Sequence, residues 1–106
     1  MPNYVFTYRK PLGYQPSPES APAWMAWFDG MGERVVEIGQ PVGGVATLGT
    51  CDPSTTELGG YSIVRADDLA TARALAEGCP QLGRGGGVEV GELLEVPASV
   101  DNRVGA

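Results

Sequence analysis

Glycine and proline limit how long any regular element of this chain can be. The 106-residue sequence contains sixteen glycines and nine prolines, and four of the prolines lie between residues 11 and 22. Because proline lacks a backbone donor and glycine weakens helices and strands, each cluster marks a turn or a loop. The apolar residues, 42% of the chain, are concentrated between these clusters. We therefore expect one domain of short elements over residues 1–97, followed by a flexible tail at 98–106.

The ionisable residues exclude several functional classes. Thirteen Asp and Glu stand against seven Lys and Arg, which gives a net charge of −6, and the chain contains no histidine. An acidic surface disfavours nucleic acids and anionic membranes, because both are bound through Lys and Arg. Without histidine, the chain cannot form a Ser-His-Asp or Cys-His site, an imidazole zinc site or a His-ligated haem. We expect no metal, no cofactor, no nucleic-acid partner and no membrane partner.

The sequence also suggests a cellular compartment. No segment approaches the roughly 20 apolar residues of a membrane span, and the first residues lack the basic and apolar regions of a secretion signal. We therefore expect a cytoplasmic protein. Cys51 and Cys79 are interpreted as free thiols, with a disulfide or a reactive thiol as alternatives. Cys51 has no cationic neighbour in sequence to activate it, so a nucleophilic role is disfavoured.

Two hydrophobic patterns in the first third of the chain predict a strand and a helix. Residues 3–9 alternate aromatic with other side chains, and a period of two is typical of a strand. Beyond the proline-rich loop at 10–22, apolar side chains recur with helical spacing, which predicts a helix over 20–32 capped by Ser20. The strand contributes Tyr4, Phe6 and Tyr8, and the helical stripe consists of Trp24, Trp27, Phe28 and Met31.

A hairpin is predicted in the middle of the chain. The β-branched residues at 34–38 indicate a second strand, which resumes weakly at 45–48 in our interpretation. Glycine and proline at 39–44, and the Cys-Asp-Pro-Ser cluster at 51–54, mark turns. Residues 58–66 follow as a third strand, and two strands joined in this way suggest antiparallel pairing.

A second helix and a fourth strand complete the predicted domain. Asp67 or Asp68 is placed to cap an alanine-rich helix, Gly78 to end it and Pro80 to prevent its continuation. That helix is expected to bury Leu69, Ala72, Leu75 and Ala76. After the glycines at 85–87, alternation predicts a last strand whose apolar face comprises Val88, Val90, Leu94 and Val96.

The element order β-α-β-β-α-β predicts an α+β fold, namely the ferredoxin-like split βαβ arrangement. Its two helices are expected to cover one face of a four-stranded antiparallel sheet. The other face, which includes Val5 and Thr7, then needs a cover of its own. We therefore expect a homodimer whose two sheets pack face to face as a dimeric α/β barrel.

Several motifs resemble the YCII-related family, in particular its DGPF-type branch. They are the opening strand, the tryptophan-containing helix, Leu58-Gly59-Gly60-Tyr61, Asp67-Asp68-Leu69, Gly78-Cys79-Pro80 and Gly86-Gly87-Val88-Glu89-Val90. The resemblance covers residues 3–96 and implies the same dimeric α/β barrel. Most members of that family have no assigned activity, so the resemblance informs the fold more than the function.

The chain departs from the pattern of that family at two points. The active site proposed for the YciI-like branch uses a His and an Asp, whereas this sequence has no histidine. The Asp-Gly-Pro-Phe motif is missing as well, and only Asp52 and Pro53 of the altered hairpin at 49–54 resemble it. The resemblance therefore transfers no catalytic residue to this chain.

Aromatic side chains near the ends of two predicted elements form the candidate ligand site. They either belong to the core or line a pocket between the first helix and the sheet. Tyr8 and Trp24 favour the pocket, since they lie beside the proline-rich loop and two indoles exceed what so small a core usually needs. Arg9 and Lys10 are either solvated or attract an acidic ligand. The predicted ligand-binding residues are Tyr8, Arg9, Trp24, Phe28 and Tyr61.

Two further features have competing interpretations. Glu92 interrupts the apolar stripe of the last strand, so it lies at an edge, pairs with an arginine across the dimer, or acts as an acid or base. The glycine-rich run at 83–87 lacks the spacing and the following helix of a phosphate loop, which favours a flexible connection.

Three functional hypotheses are consistent with these residues. The first is a small homodimer that binds a small apolar or aromatic molecule, acidic ones included, or otherwise acts as an accessory protein. The second is a histidine-independent enzyme of the dimeric α/β-barrel kind, a cyclase, isomerase or cofactor-free monooxygenase, that uses Tyr8, Glu92 or Asp52. The third, implied only by DGPF-type relatives associated with extracytoplasmic sigma factors, is a regulatory partner of a transcription factor.

Overall fold

Four strands form one antiparallel sheet in the computed structural model, which describes residues 1–15 and 20–96. The strands are β1 (Asn3–Pro11), β2 (Val35–Glu37), β3 (Thr56–Arg65) and β4 (Gly87–Glu92). The helices are α1 (Ser20–Met31) and α2 (Leu69–Ala76), followed by short 3₁₀ helices at Gly32–Arg34 and Pro80–Arg84. The sheet order is β2-β3-β1-β4, so β1 is paired on both sides. The predicted α+β class, with a four-stranded antiparallel sheet and two helices, is confirmed.

One face of the sheet carries the hydrophobic core. Tyr4, Phe6 and Tyr8 of β1 are buried, as the period of two predicted, and Val64 of β3 is buried beside them. Side chains from both helices enter the same cluster, so α1 and α2 cover this face. The cluster consists of Tyr4, Phe6, Tyr8, Met31, Val64, Ala66, Ala72, Ala76 and Cys79.

The opposite face of the sheet, which we call the open face, has no helix over it among the described residues. Val5 pairs with Ile63 and Thr7 with Tyr61, and these four side chains define the face. All four are only half-buried. The described part of the chain therefore provides no helical cover for this face.

Trp27 connects α1 to the end of α2 through a ring contact and a hydrogen bond. Its ring stacks on Phe6 with centroids 6.0 Å apart, and its indole N–H donates to the Leu75 carbonyl at 3.1 Å. A Cβ at Gly78 would lie 3.0 Å from Trp27 Cδ1. Gly78 was predicted to end α2, but Glu77 occupies the C-cap. The glycine instead makes room for the indole ring.

The ends of three elements differ from the predictions. β1 continues through Pro11, beyond the predicted end at residue 9. Ser20 is the first residue of α1, not the cap before it. Of the two predicted aspartates, Asp68 caps α2, because its side chain accepts a hydrogen bond from Thr71 N at 2.8 Å.

Two predicted strands are shorter than expected. The fourth ends at Glu92 because β4 pairs only with β1, and its last backbone bond joins Leu93 N to Asn3 O at the start of β1. Leu94 is consequently 78% exposed, and Val96 is also exposed. The second strand spans only Val35–Glu37 and does not resume at 45–48, although β2 and β3 pair antiparallel as predicted.

The predicted burial of Leu69 is wrong, and two predictions fall outside the described residues. Leu69 is the first residue of α2 and is 54% exposed, whereas Ala72 and Ala76 are buried as predicted. The tail at 98–106 and part of the proline-rich loop, residues 16–19, are not described. Within the described residues, neither helix is long and apolar enough to cross a membrane.

Candidate functional site

A cavity of about 450 Å³ lies between α1, the end of β1 and the connection from β2 to β3. Its volume falls within the roughly 300–1,000 Å³ that is usual for small-molecule sites. Its wall is mostly apolar and aromatic. The apolar and aromatic lining side chains include Tyr8, Tyr14, Trp24, Met25, Phe28, Ile38, Pro41 and Val42.

Trp24 forms the aromatic centre of this wall. Its ring meets Tyr8 edge to face, with centroids 4.7 Å apart, and Phe28 at 6.0 Å. Trp24 is only partly buried, and its indole N–H has no hydrogen-bond partner in the described part of the chain. Aromatic rings held in this way offer both a face and an edge to a planar ligand.

Two adjacent glycines of β3 build the floor of the cavity. Tyr8 lies opposite Gly60 and Arg9 opposite Leu58, so Gly59 is the extra residue of a β-bulge. A Cβ on Gly60, whose φ is +156°, would lie 3.0 Å from the Gln40 carbonyl oxygen. Because Gly60 has no side chain, the connection after β2 can lie directly against β3.

Lys10 ties that connection to β1. A Cβ on Gly59 would lie 3.1 Å from the Cβ of Lys10, so the lysine stem crosses the bulge where the glycine leaves space. The Lys10 ammonium donates to the carbonyls of Val42 at 2.8 Å and Gly43 at 3.3 Å. No carboxylate lines the cavity in the described part of the chain, and Lys10 is the charged residue of its wall. The wall therefore favours neutral or anionic molecules over cations.

A short hydrogen-bond relay lies at the back of the cavity. The Tyr8 hydroxyl donates to Ser62 Oγ at 2.8 Å, and Ser62 Oγ donates to the Ile38 carbonyl at 2.6 Å. Burial raises the pKa of Tyr8 well above its ordinary value, so this phenol stays protonated at neutral pH. Both donors of the relay are engaged, which leaves the Tyr8 oxygen as an acceptor.

Gln81 contributes a donor that is not engaged. It lines the cavity from the 3₁₀ helix that follows α2 and is only 4% exposed. Its side-chain Nε2 is buried and has no hydrogen-bond partner among the described residues. An unsatisfied buried amide costs about 1–3 kcal/mol, so this group is an exception that calls for an explanation.

The structure brings together three of the five predicted ligand-binding residues. Tyr8, Trp24 and Phe28 carry their rings to the cavity wall. Tyr61 borders the cavity through its strand, but it pairs with Thr7 on the open face. Its hydroxyl donates to Glu37 Oε2 at 2.7 Å, and this bond raises the pKa of Tyr61.

Arg9, the fifth predicted residue, lies away from the cavity. Its guanidinium donates to the Thr56 carbonyl at 2.9 Å and to Thr56 Oγ1 at 3.3 Å. Successive side chains of β1 point to opposite faces of the sheet, so Lys10, on the same face as Tyr8, reaches the cavity wall and Arg9 does not. Ser62 and Gln81 could not be identified from the sequence, because a single polar residue in a strand or a glycine-rich segment carries no local sign of burial.

The other candidate residues lie apart from the cavity wall. Cys51 is exposed and Cys79 buried, and both are free, as predicted; burial raises the pKa of the Cys79 thiol. Hydrogen bonds from the side chain of Ser54 and from Ser54 N, the latter at 3.0 Å, lower the pKa of Asp52 and fit a turn carboxylate. Glu92 is exposed at the end of β4, as in the edge interpretation.

The glycine-rich run is built differently from a flexible connection. Residues 80–84 form a 3₁₀ helix, which Gly85 ends in the left-handed conformation with φ +81°. A Cβ on Gly86 would overlap the Arg9 carbonyl and lie 2.6 Å from Gln81 Nε2. The missing side chain of Gly86 therefore lets the Gln81 side chain and β1 lie close together.

No cluster of three metal-ligating side chains occurs among the described residues.

No protein-family model matches the chain, and no curated protein matches it at a significant level.

Proposed function

We propose that the protein binds small aromatic or apolar molecules in the cavity between α1 and the sheet. The observation that carries this proposal is the position of Trp24. Its partly buried indole lies in the wall of a cavity of about 450 Å³ and packs against the rings of Tyr8 and Phe28. Sites for small molecules are typically concave and aromatic, with few polar groups. This cavity has those properties.

The polar groups of the cavity favour binding over catalysis. General acid–base catalysis needs a group whose pKa lies near the working pH. The described lining residues include no carboxylate and no thiol, and the Tyr8 phenol is held in its protonated form. These groups can orient a ligand through hydrogen bonds, which supports the binding hypothesis over the histidine-independent enzyme.

Tryptophan fluorescence tests the binding site directly. We expect small naphthalene derivatives to change the emission of the wild-type protein in a saturable way. Trp24→Ala is expected to lose most of this affinity, because it removes the central ring of the wall. Asp29→Ala, an exposed position of α1 outside the cavity wall, is the matched control and keeps wild-type affinity.

Two results would refute the binding proposal. One is the absence of saturable binding in the wild-type protein across neutral and anionic naphthalenes. The other is equal affinity of the wild-type and Trp24→Ala proteins, with both shown by circular dichroism to be folded.

We further propose that the fold is the ferredoxin-like domain of the YCII-related family. Supporting this assignment are the chain order of the elements and the central position of β1 between β3 and β4. The Leu58-Gly59-Gly60-Tyr61 motif, on which the resemblance partly rests, contains the bulge that forms the cavity floor. The free thiols of Cys51 and Cys79 support a cytoplasmic location, since reducing compartments preserve them.

The same proposal includes a homodimer formed through the open face. Val5 and Ile63 are apolar, half-buried and paired at its centre. A second copy placed symmetrically would remove both from water. Light scattering should then give about twice the chain mass of 11.1 kDa.

A charge at the centre of the open face tests this dimer. Ile63→Glu is expected to give monomers, because the new carboxylate would be buried without a partner. Leu48→Glu places the same charge on a side chain that is already exposed and leaves the dimer intact. A wild-type monomer, or an unchanged mass for Ile63→Glu, contradicts the dimer and leaves the cavity proposal standing.

A further inference from the structure

The chain contains one lysine, and the structure places it at the cavity wall. Lys10 lines the cavity together with Val42 and Gly59. Its stem lies beside Gly59, and its ammonium donates to the Val42 carbonyl at 2.8 Å and to the Gly43 carbonyl at 3.3 Å. Because Val42 is itself a lining residue, the ammonium lies where β1 and the connection from β2 to β3 meet at the cavity.

This ammonium carries a charge that no described side chain balances. The ion pair found among the described residues joins Arg73 to Glu77 and does not include Lys10. Glu57 is the cross-strand neighbour of Lys10, yet the lysine bonds to the two carbonyls and forms no ion pair with it in the described part of the chain. Carbonyl oxygens satisfy hydrogen bonds without neutralising the charge, and an ammonium has three N–H groups to place.

The surroundings of this charge differ from those of a solvated surface lysine. Lys10 is half-buried, and the described lining residues include no Asp or Glu, although the chain has thirteen of them. Trp24, Phe28 and Ile38 line the same cavity. A cation beside apolar walls attracts an anion more strongly than a cation in open water, because the effective dielectric constant is lower there. The cavity therefore combines an aromatic surface with one unbalanced positive charge.

We propose that the natural ligand is an aromatic carboxylate, whose ring contacts Trp24 and Phe28 while its carboxylate pairs with the Lys10 ammonium. This inference rests on the proposed binding function and adds a chemical class to it. The carboxylate accepts the remaining ammonium N–H and supplies the counter-charge in one charge-assisted hydrogen bond. A neutral molecule of the same shape fills the cavity but leaves the charge unbalanced, so the acid is preferred.

A matched pair of probes tests the role of the negative charge. 1-Naphthoate and 1-naphthamide have nearly the same shape, but only naphthoate is charged at neutral pH. Dissociation constants for both are measured by tryptophan fluorescence titration of the full chain. We expect the wild-type protein to prefer naphthoate by about fivefold to thirtyfold, between the value of an exposed ion pair and that of a hydrogen bond to a charged group. Added salt should weaken the binding of naphthoate and leave that of the amide unchanged.

Two substitutions at Lys10 assign the preference to its charge. Lys10→Met keeps most of the stem but removes the charge, and we expect it to lose the preference for naphthoate. Lys10→Arg restores a cation and is expected to keep most of it. Arg34→Met removes one positive charge at an exposed position outside the cavity wall, so it controls for the net charge and should keep the wild-type preference.

A spectroscopic measurement keeps the test valid if Lys10→Met does not fold. Since Lys10 is the only lysine, labelling with ¹⁵N-lysine gives a single side-chain ammonium resonance in the wild-type protein. We expect this resonance to shift more strongly with naphthoate than with naphthamide. Equal shifts at saturation with the two probes would contradict the pairing of the carboxylate with Lys10.

The outcomes separate this inference from the binding function. Equal affinities for the two probes, or tighter binding of the amide, would overturn the carboxylate proposal while the binding site stands. A preference that survives in Lys10→Met, or that disappears equally in Arg34→Met, would also overturn it. Failure of both probes to bind the wild-type protein would instead refute the binding function itself.

Discussion

The two tryptophans of α1 lie one helical turn apart and contact each other edge to face, with centroids 5.7 Å apart, but their indole N–H groups have different surroundings. Trp27 is stacked on Phe6, and its N–H is bonded to the Leu75 carbonyl at the end of α2. Trp24 meets Tyr8 edge to face and lines a cavity, and its N–H has no partner in the described residues. The helical spacing that placed both on one apolar face is the same, so the difference comes from what stands opposite each ring.

The contrast indicates how one helix can serve both stability and the proposed binding function. Opposite Trp27, the end of α2 supplies a carbonyl and Gly78 supplies space. Opposite Trp24, the wall includes Gly59 and Gly60, where side chains are missing. The indole N–H of Trp27 is therefore satisfied within the fold and that of Trp24 is not satisfied by any described residue, although both rings are partly exposed.

Replacing each tryptophan should separate the two roles most strongly. We expect Trp27→Ala to lower the free energy of unfolding by about 3 kcal/mol, the lower end for truncating a large aromatic residue in a core. Trp24→Ala should cost about 1 kcal/mol, close to the value of an aromatic pair. Urea unfolding followed by circular dichroism measures both, and equal costs would contradict the division of roles.

The glycine run beside the cavity offers a smaller effect with an internal control. Gly86→Ala is expected to cost about 2 kcal/mol, since the added methyl would overlap the Arg9 carbonyl and displace the Gln81 side chain. At Gly87 a Cβ meets nothing within 4 Å, so Gly87→Ala should change stability by no more than about 0.5 kcal/mol. Matched urea midpoints for the two variants would show that Gly86 is not packed as described.

Alkaline titration probes the relay at the cavity end. An unfolded tyrosine has a pKa of about 10, and burial raises the pKa of Tyr8 above that value in the folded protein. The folded state is therefore fully stabilised below pH 10 and loses stability as the pH rises above it, because the unfolded chain releases its proton first.

Tyr8→Phe isolates the contribution of this phenol. At pH 7 the variant should be less stable by about 1 kcal/mol, for the lost bond to Ser62. Above pH 10 the difference should narrow, since only the wild-type chain has this proton to lose. Urea unfolding at pH 7 and at pH 10.5 measures both, and a constant difference would argue against the burial of the hydroxyl. The stability of the variant should still fall somewhat with rising pH, because the pKa values of Tyr4 and Tyr61 are also raised in the folded protein.

The smallest expected effect lies on the surface of α2, away from both tryptophans. Arg73 and Glu77 form an exposed ion pair at 3.3 Å with i, i+4 spacing. Glu77→Gln should lower stability by no more than about 0.5 kcal/mol, and less in high salt. Urea unfolding at two salt concentrations measures this change in stability. The result gives the size of a surface effect, with which the stability changes of the cavity variants are compared.

Much of the fold could be predicted because its signals are local. Alternation in β1 identified the three buried aromatic residues, and helical spacing located α1 to within a residue at its end. The ends of β4 and the exposure of Leu69 could not be predicted, because they depend on the partner strand and on where a helix meets the core. Leu94 lies beyond the point where β1 begins, so it has no β1 residue to pair with, although it continues the alternating pattern of β4.

The residues of the candidate site likewise fall into those that local sequence signals predicted and those that depend on tertiary contacts. The amino-acid sequence alone determined the aromatic residues beside the proline-rich loop, the absence of histidine and the glycines that permit a bulge, since each is a property of one residue or of short-range spacing. Only the tertiary structure decided that the connection after β2 lies against Lys10, that Tyr61 turns to the open face and that Gln81 keeps an unpaired amide. These outcomes depend on strand register and on contacts between distant segments, where a shift of one residue moves a side chain to the other face of the sheet.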